Sequence, residues 1–509
     1  NKSKTVNIKK IFNYIMTMTK IKILFLVVLI FINFSRCSKS ERQIEKTFSE
    51  ADQKKIKELN LQLNTIKDKG IVLIELGDIY LRNNQIETAV NYYEQALNNL
   101  QNKQPAILKI TQILINRRNF ASAAELIAQF YEKISDKNYL PIFFKLAEIY
   151  TLMNLHFENS ILLEKLFELY PDNIDVLYRL IENYLKTQDL QKTRNAIDKL
   201  KKYNQQIENG AIDYYNGKLE LASNKFNIAE KYFKKIIDTN TTNKYFKGLA
   251  FQELGKLYFQ RERYETAKLY FEKSNEFLEN NSENYYYIGL ALKNEFAFML
   301  AADNFIKSID IDYYNLASRY ELAEIYFKNL KLYKQALDQL EVLTNIEPDN
   351  PKYLKLKADC AFVLNAFNTA IMSYKKIIEL DPVGDYAEDA YFALATLYKN
   401  IKNTELALQY FQAGADFFPE KWQFFFNIGL LKEELNQYAE ALEYYQKAEA
   451  LMPDFQPITL NIGNVYFKLE RYDEAKAIYE KILKTSNNPD AAYNLSLIHK
   501  LQKQKNENR

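Results

Sequence analysis

The sequence is dominated by one pattern that recurs about every 34 residues, and its clearest copy occupies residues 422–455. Apolar residues fall at helical spacing on one face of a first segment that contains Gly429. They do so again in a second segment that contains Ala441 and Tyr445, after a turn near residues 436–437. One such helix pair cannot bury its own apolar faces, so copies must stack on one another. The pattern therefore predicts a helical array.

The same pattern continues in register through most of the chain. A small residue marks the first helix at Gly77, Ala147, Gly217, Gly255, Gly289, Ala323, Ala358, Ala395 and Gly463. An alanine marks the second helix at Ala89, Ala123, Ala229, Ala267, Ala301, Ala336, Ala370, Ala407 and Ala475. An aromatic residue follows four positions later at Tyr93, Phe233, Phe271, Phe305, Tyr374, Phe411 and Tyr479. Repeats are therefore predicted to begin near residues 70, 104, 140, 174, 210, 248, 282, 316, 351, 388, 422 and 456.

This order of small residue, alanine, aromatic residue and closing proline resembles the tetratricopeptide repeat (TPR). The resemblance covers about residues 70–500 and implies an all-α, right-handed superhelical solenoid of antiparallel helix pairs. It divides the chain into tether and N-terminal cap helices at 37–69, about twelve repeats at 70–489 and a C-terminal solvating helix at 490–501. A disordered tail is predicted for residues 502–509.

The first 36 residues form a segment of a different kind. They carry seven basic residues and no acidic one, and they contain the uncharged apolar run 23–35. That run is shorter than the ~20 residues that cross a bilayer comfortably, and a basic segment before such a run is typical of a secretory signal. Cys37 follows closely, which resembles the bacterial lipoprotein signal whose cysteine is acylated, although Arg36 departs from the small residue expected there. A lipoprotein signal peptide and an uncleaved signal anchor both predict a membrane-associated, extracytoplasmic protein, and a cytosolic protein is the remaining alternative.

The charge balance gives no support for nucleic-acid binding. The whole chain carries a formal net charge of +3, and without the seven positive charges of residues 1–36 it carries −4. A nucleic-acid partner would require a concentrated basic surface. We therefore predict no nucleic-acid partner.

The sequence also lacks the residue groups that an active site needs. His156 and His499 lie in different repeats, and Cys360 stands beside a helix-crossing residue, where a small buried filler is expected. We predict no catalytic residue, metal, cofactor or small-molecule substrate, and hence no enzyme.

The strongest candidate binding residues lie near the C-terminus. Position 6 of the last three first helices is Asn427, Asn461 and Asn494, and Asn464 adds an amide at position 9. This resembles the asparagine ladder of peptide-binding TPR solenoids, which implies that these amides line the concave groove and clamp the backbone of an extended peptide. Asparagines that merely face solvent are the alternative. At position 5, Phe426 and Tyr493 are candidate anchors for a partner, or simple packing residues.

These observations predict a non-enzymatic scaffold that binds partner proteins or extended peptides in its groove. Two alternatives stay open: an assembly or regulatory subunit of an envelope or secretion complex that acts through convex surfaces, and a carbohydrate-binding solenoid. The related clamp for C-terminal carboxylates needs Lys at position 5 and Asn at position 9. Here Lys355 is followed by Asp359, so that clamp is not expected.

Overall fold

The computed structural model describes residues 48–66, 69–203, 207–239, 243–453 and 455–507, and within these it contains helices and no strand. The all-α fold predicted from the repeats is confirmed. Helix α1 (Glu50–Thr65) precedes twelve helix pairs, and α26 (Pro489–Glu507) follows them. Most of the packing is between consecutive helices, and some successive first helices also contact each other.

The chain divides into two compact units. The first takes in the described chain up to Ile207 together with Lys218–Asn224, and the second takes in Glu208–Gly217 and the chain from Lys225 onward. Repeats 1 to 4 lie in the first unit, as α2 (Gly70–Arg82), α3 (Ile86–Asn99), α4 (Gln104–Asn116), α5 (Phe120–Ala128), α6 (Leu140–Leu152), α7 (His156–Leu169), α8 (Ile174–Lys186) and α9 (Leu190–Leu200). Short 3₁₀ turns lie at Tyr131–Lys133, Lys137–Tyr139 and Lys201–Tyr203.

The remaining repeats follow the same plan of two helices each. They are formed by α10 (Ala211–Ala222), α11 (Phe226–Asp238), α12 (Lys244–Gln260), α13 (Tyr264–Asn275), α14 (Ser282–Asn294), α15 (Phe298–Ile311), α16 (Leu316–Lys328), α17 (Tyr333–Ile346), α18 (Pro351–Val363), α19 (Phe367–Leu380), α20 (Ala387–Asn400), α21 (Thr404–Phe417), α22 (Trp422–Glu434), α23 (Tyr438–Leu451), α24 (Gln456–Lys468) and α25 (Tyr472–Thr485). The boundary between the units falls within α10.

The predicted repeat starts match the observed first helices closely, with the largest difference at repeat 6. There α12 begins at Lys244 rather than near 248, because the Asn243 side chain caps the helix one turn earlier and accepts a hydrogen bond from the Phe246 amide (2.9 Å). The last helix runs to Glu507, past the predicted end at residue 501 and into the segment predicted to be a disordered tail. The C-terminal boundary is corrected accordingly.

The N-terminal cap is one helix in the described residues. Ile56 and Leu59 on α1 are buried and pack with Leu76 and Ile79 of repeat 1. They cover the apolar face that the first repeat would otherwise expose. The candidate tether and the candidate acylation site at Cys37 lie outside the described residues.

Every turn between the two helices of a repeat contains one residue with a left-handed backbone. In repeat 1 this residue is Asn84 (φ 59°), and the next amide, that of Gln85, donates to the Tyr80 carbonyl (2.9 Å). This closing hydrogen bond ends the helix in the usual left-handed cap. The equivalent residues, with φ of 55–61°, are Arg118, Asn154, Gln188, Asn224, Glu262, Phe296, Lys331, Asn365, Lys402, Asn436 and Glu470. None is glycine; the asparagines tolerate this backbone, whereas the remaining turns impose it on side chains that do not favour it.

The core is built from a small residue and a ring in contact. A Cβ atom added to Gly255 would lie 2.8 Å from the ring of Phe271, and one added to Gly429 would lie 2.6 Å from Tyr445. Both rings are fully buried. A small residue leaves room for the ring, glycine in these two repeats and alanine in repeats 9 and 10 (Ala358 with Tyr374, Ala395 with Phe411), which explains why a small residue and a ring recur together.

Candidate peptide-binding surface

The predicted binding residues lie on a surface that we call the first-helix surface, the residues at positions 5, 6 and 9 of the first helices, counted from residues such as Trp422 and Gln456. The structure places all four asparagines on it, half-buried, and gives each a partner inside the protein. Asn427 donates to the Gln423 carbonyl of its own helix (Nδ2 to O 2.9 Å). Asn494 donates to Asn464 (Nδ2 to Oδ1 2.9 Å). Asn461 hydrogen-bonds the Tyr445 side chain.

The contact between Asn464 and Asn494 belongs to a recurring arrangement that we call the tyrosine triad. Its members are an acceptor at position 9, the tyrosine of the same repeat's second helix, and a donor at position 6 of the next first helix. In repeat 1, Asp78 accepts from the Tyr93 hydroxyl (2.6 Å) and from Lys109 Nζ (2.7 Å). In repeat 12, Asn464 accepts from Tyr479 (2.9 Å) and from Asn494. Asn494 therefore occupies the place that Lys109 occupies in repeat 1.

Repeat 9 contains two members of the triad, since the Tyr374 hydroxyl donates to Asp359 Oδ1 (2.7 Å). Burial, with the nearby carboxylate, raises the pKa of Tyr374 well above its usual value. Burial also raises the pKa of Tyr479 to about 12, although the hydrogen bond from Asn494 acts in the opposite direction. The hydroxyls therefore stay protonated and remain donors. Sequence reasoning missed the triads because the tyrosines read as core residues.

The two candidate anchors differ in exposure. The Phe426 ring is half-buried and packs 5.8 Å from the Tyr445 ring and 6.0 Å from the indole of Trp422. Tyr493 is 64% exposed. Tyr493 is therefore available to a partner as it stands, whereas Phe426 already contributes to packing within repeat 11.

A pocket of about 380 Å³ opens on the same surface across repeats 9 to 11. It is lined by Lys355, Glu388, Asp389, Phe392, Ala393, Gln423 and Phe424. The carboxylate of Asp389 is 70% exposed, and Lys355 lies between it and Asp359 (Nζ to Oδ2 3.5 and 2.8 Å). Gln423 Oε1 is buried without a hydrogen-bond partner in the described part of the chain. The pocket thus offers an acceptor, a carboxylate and an apolar wall that sequence reasoning did not group together.

Ion pairs link the first helices of repeats 6 to 8. Lys256 bridges to Glu283 of the next repeat (Nζ to Oε1 2.8 Å), and Lys293 bridges to Glu321 (2.6 Å). Burial acts to lower the pKa of Lys256, but the surrounding carboxylates outweigh it and raise the pKa overall. These lysines are held by neighbouring repeats, so this part of the surface presents few uncommitted charges.

Residue types that could react chemically or bind a metal do not form a site elsewhere in the described part of the chain. Burial raises the pKa of the Cys360 thiol to about 12, so it is not a nucleophile at neutral pH. Among the described residues, no group of three or more His, Cys, Asp or Glu side chains is arranged to hold a metal ion. None of the helices in the described ranges combines the length and the apolar character needed to cross a bilayer.

Comparison with known proteins gives one family. Models of the tetratricopeptide repeat match residues 72–99, 250–277, 392–454 and 433–498. None of the curated proteins compared matches the chain.

Solved structures that resemble the chain include three that cover different shares of it. MamA is 21% identical, with 32% of this chain and 94% of MamA covered and a TM-score of 0.31. YrrB, described as a TPR protein with an unusual peptide-binding site, is 20% identical, with 37% of this chain and 95% of YrrB covered and a TM-score of 0.33. Yeast Tom70 is 16% identical, with 87% of this chain and 97% of Tom70 covered and a TM-score of 0.30.

Proposed function

We propose that this chain, a tetratricopeptide repeat protein, is a non-enzymatic scaffold that holds extended segments of partner proteins against the first helices of its repeats. The observation that carries the proposal is the pocket across repeats 9 to 11. It combines an unsatisfied acceptor, Gln423 Oε1, with the exposed carboxylate of Asp389 and the ring of Phe392. An extended peptide supplies a backbone N–H group to Gln423 Oε1 and side chains that contact Asp389 and Phe392.

The pocket also predicts the character of the bound segment. The Asp389 carboxylate favours a basic side chain at the rim, while Lys355 is already held between two carboxylates. Each backbone hydrogen bond contributes about 0.5–1.5 kcal/mol, because water competes for the same groups. Several such bonds along successive repeats give a measurable affinity without strict sequence selectivity.

The test combines crosslinking with affinity measurement. A photo-crosslinking residue is placed at Ala393, in the pocket, or at Glu443, an exposed residue of second helix α23. Partners captured in the native host are identified, and the affinity of one of them is measured for the parent chain, Asp389→Lys and the matched control Glu443→Lys. We expect capture at position 393 and a loss of affinity of about tenfold or more with Asp389→Lys alone. Capture only at position 443 would contradict binding through the first-helix surface.

The asparagines need a separate test, because Asn461 and Asn494 also hold tyrosines of the core. Asn427→Ala is the cleaner variant, since the hydrogen bond of Asn427 stays within its own helix. If Asn427 clamps a peptide, this variant lowers the affinity for the partner by about twofold to tenfold and leaves the thermal unfolding temperature unchanged. Unchanged affinity would remove Asn427 from the binding surface.

Membrane attachment through the N-terminal segment is the second part of the proposal, and it is supported by the sequence alone. The basic residues, the apolar run 23–35 and Cys37 all lie outside the described residues. Metabolic labelling with a fatty acid, lost in Cys37→Ser, would support acylation. Label that persists in this variant would exclude Cys37 and leave the signal anchor as the attachment.

One surface favours the alternative of an assembly subunit. At the turn of repeat 7, Phe296, Met299 and Leu300 are 80%, 62% and 57% exposed and lie close together along the chain. Exposed apolar clusters of this kind often mark protein contacts. If this cluster is the main contact, Met299→Glu abolishes capture of the partner while Asp389→Lys has no effect.

A further inference from the structure

Repeat 3 retains most of the tyrosine triad but lacks its tyrosine. Position 8 is the small residue Ala147, position 9 is the acceptor Glu148, and position 6 of the next first helix is the donor Arg179. The second-helix residue that is Tyr93 in repeat 1 is Leu163 here. The acceptor and the small residue are therefore present without the ring that joins them elsewhere.

A pocket of about 300 Å³ lies at this place. It is lined by Ala147, Glu148, Asn159, Leu163 and Arg179, together with neighbouring residues of α6 and α8. Its volume is about ten times the ~30 Å³ occupied by a water molecule in the liquid, which is room for one aromatic side chain. All of these residues belong to the first compact unit.

The floor of the pocket is polar at a position where most repeats have a buried alanine, and Thr193 in repeat 4 is the other polar residue at this position. Asn159 stands at the position of Ala89 and Ala123 and is 3% exposed. Its Nδ2 donates to Thr151 Oγ1 (3.0 Å) and to Asn183 Oδ1 (3.2 Å), which fixes the orientation of the amide. Its Oδ1 is buried and has no hydrogen-bond partner among the residues that the structure describes. A buried acceptor in this state favours any ligand that brings a donor.

The two remaining triad residues, Arg179 and Glu148, contact other side chains. The Arg179 guanidinium lies over the Phe144 ring, 4.5 Å from its centroid, and Glu148 pairs with Lys145 (Oε2 to Nζ 2.8 Å). Arg179 therefore does not bridge to the position-9 acceptor of the preceding repeat as Lys109 bridges to Asp78 in repeat 1. Each group is at the rim, within reach of a ligand.

Repeat 8 also has a leucine at the aromatic position, but its surroundings are apolar. It has Leu340 at the aromatic position, but its second-helix alanine, Ala336, is retained. Position 6 of the following repeat is Leu356, which is 5% exposed and packs in the same apolar cluster as Leu340. Repeat 3 differs in having both a polar floor and a polar neighbour.

We propose that the pocket of repeat 3 accepts a tyrosine side chain of a bound partner segment. The partner thereby supplies the ring that repeats 1, 9 and 12 supply from their own second helices. The ring lies against Ala147 and Leu163, and its single hydroxyl hydrogen is donated either to Glu148 or to Asn159 Oδ1. Glu148 and Glu182 balance Arg179 and Lys186 around the pocket, so a phosphorylated tyrosine is disfavoured. The proposal rests on the scaffold function but concerns a different surface from the pocket of repeats 9 to 11.

The test uses the full chain and three single-residue probes: N-acetyltyrosinamide, N-acetylphenylalaninamide and N-acetylphosphotyrosinamide. Binding is followed by saturation-transfer NMR. We expect the tyrosine probe to bind about twofold to tenfold more tightly than the phenylalanine probe, because only the former donates a hydrogen bond. The phosphorylated probe is expected to bind least.

Leu163→Tyr fills the pocket from within and is the decisive variant. It should abolish binding of the tyrosine probe while thermal unfolding stays at the same temperature or rises. Ala147→Leu fills the pocket from the first helix and serves if Leu163→Tyr does not fold. Glu168→Gln, an exposed change on the same helix as Leu163, is the matched control and should leave binding unchanged.

The proposal is overturned if the parent chain binds no probe, if the tyrosine and phenylalanine probes bind equally, or if both pocket-filling variants bind as the parent does. None of these results bears on capture at position 393. Failure of this proposal is therefore distinguishable from failure of the scaffold function.

Discussion

Repeats 2 to 4 and repeats 5 to 7 follow the same plan but close their helix crossings in different ways. In repeats 5 to 7 a glycine lies under a phenylalanine ring, and an added Cβ would approach that ring to within 2.6–2.8 Å. The three pairs are Gly217 with Phe233, Gly255 with Phe271, and Gly289 with Phe305. The corresponding pairs in repeats 2 to 4 are Thr111 with Ile127, Ala147 with Leu163, and Ile181 with Ile197.

The consequence is a difference in what the crossings contain. Repeats 2 to 4 place the polar side chains of Thr111, Asn159 and Thr193 at the crossing itself, and repeat 3 leaves a pocket beside Asn159. Repeats 6 and 7 also bury polar residues, among them Ser274 and Asn284, but none of these is a member of a glycine–ring pair. A ring on a glycine fills the crossing completely, whereas aliphatic side chains leave space that polar groups occupy. The same backbone repeat therefore produces either a closed apolar crossing or an open polar one.

The largest expected effect comes from removing a ring. Phe271→Ala should cost about 3–5 kcal/mol in local stability, because a fully buried ring leaves a cavity. Leu163→Ala should cost nearer to ~2 kcal/mol, since Leu163 already borders a pocket. Hydrogen exchange of each variant measures both values. Protection should fall near residues 244–294 for Phe271→Ala and change little beyond residue 400, because each repeat contacts only its neighbours. Equal losses of local stability in the two variants would contradict the difference between closed and open crossings.

Adding a side chain gives the next largest effect. Gly255→Leu should cost roughly 1–3 kcal/mol or more, because any Cβ there meets the Phe271 ring. Ala147→Leu should cost clearly less, since the pocket of repeat 3 has room for the added atoms. Hydrogen exchange in the two repeats again provides the measurement. A greater loss from Ala147→Leu would mean that the pocket does not lie where that side chain would go.

The two regions should lose different amounts of stability in acid, because their buried polar groups differ in whether they titrate. Burial acts to raise the pKa of Glu230, but hydrogen bonds from Lys234, Arg261 and Tyr258 outweigh it and hold the pKa at about 2. The folded pKa lies below the unfolded value of about 4.3, so the stabilisation is present above that value and is lost as the pH falls towards 2.

The expected acid loss is roughly 1–3 kcal/mol around repeats 5 and 6. The Asn159–Asn183 amides do not titrate, so their region should lose less over the same range. Denaturant unfolding followed by hydrogen exchange at each pH measures the difference, and Glu230→Gln should flatten the profile. A profile that Glu230→Gln leaves unchanged would assign the acid sensitivity to other carboxylates.

The smallest effect should be the same in both regions, because they share the turn. Gln188 in repeat 4 and Glu262 in repeat 6 both have φ of 58°. Changing either to glycine should stabilise its repeat by about 0.5–1 kcal/mol, since glycine adopts this backbone without steric cost. Asn154→Gly, at a residue type that tolerates the conformation, should change thermal unfolding little. A gain confined to one region would show that the turns differ as well as the crossings.

The repeat architecture could be predicted because its signal is local. Gly77, Ala89 and Tyr93 lie within one helix pair, and their spacing encodes both helices and the turn between them. The polar interactions could not be predicted in this way. Asn461 and Asn494 looked like residues free to bind a peptide, but each bonds to a tyrosine or amide of the preceding repeat. That partner is set by the stacking of repeats, and a one-residue change of register would remove it.

The sequence by itself determined the period, the helical class and the glycine–aromatic crossings, because helical spacing and side-chain size are properties of neighbouring residues along the chain. Only the tertiary structure decided which polar groups are hydrogen-bonded inside the protein and which remain available to a partner. Leu163 reads as one more apolar core residue, yet next to Glu148, Asn159 and Arg179 it leaves the space of a missing tyrosine. Hydrogen bonds require atoms within about 3 Å, and that distance is fixed by how one helix pair packs on the next.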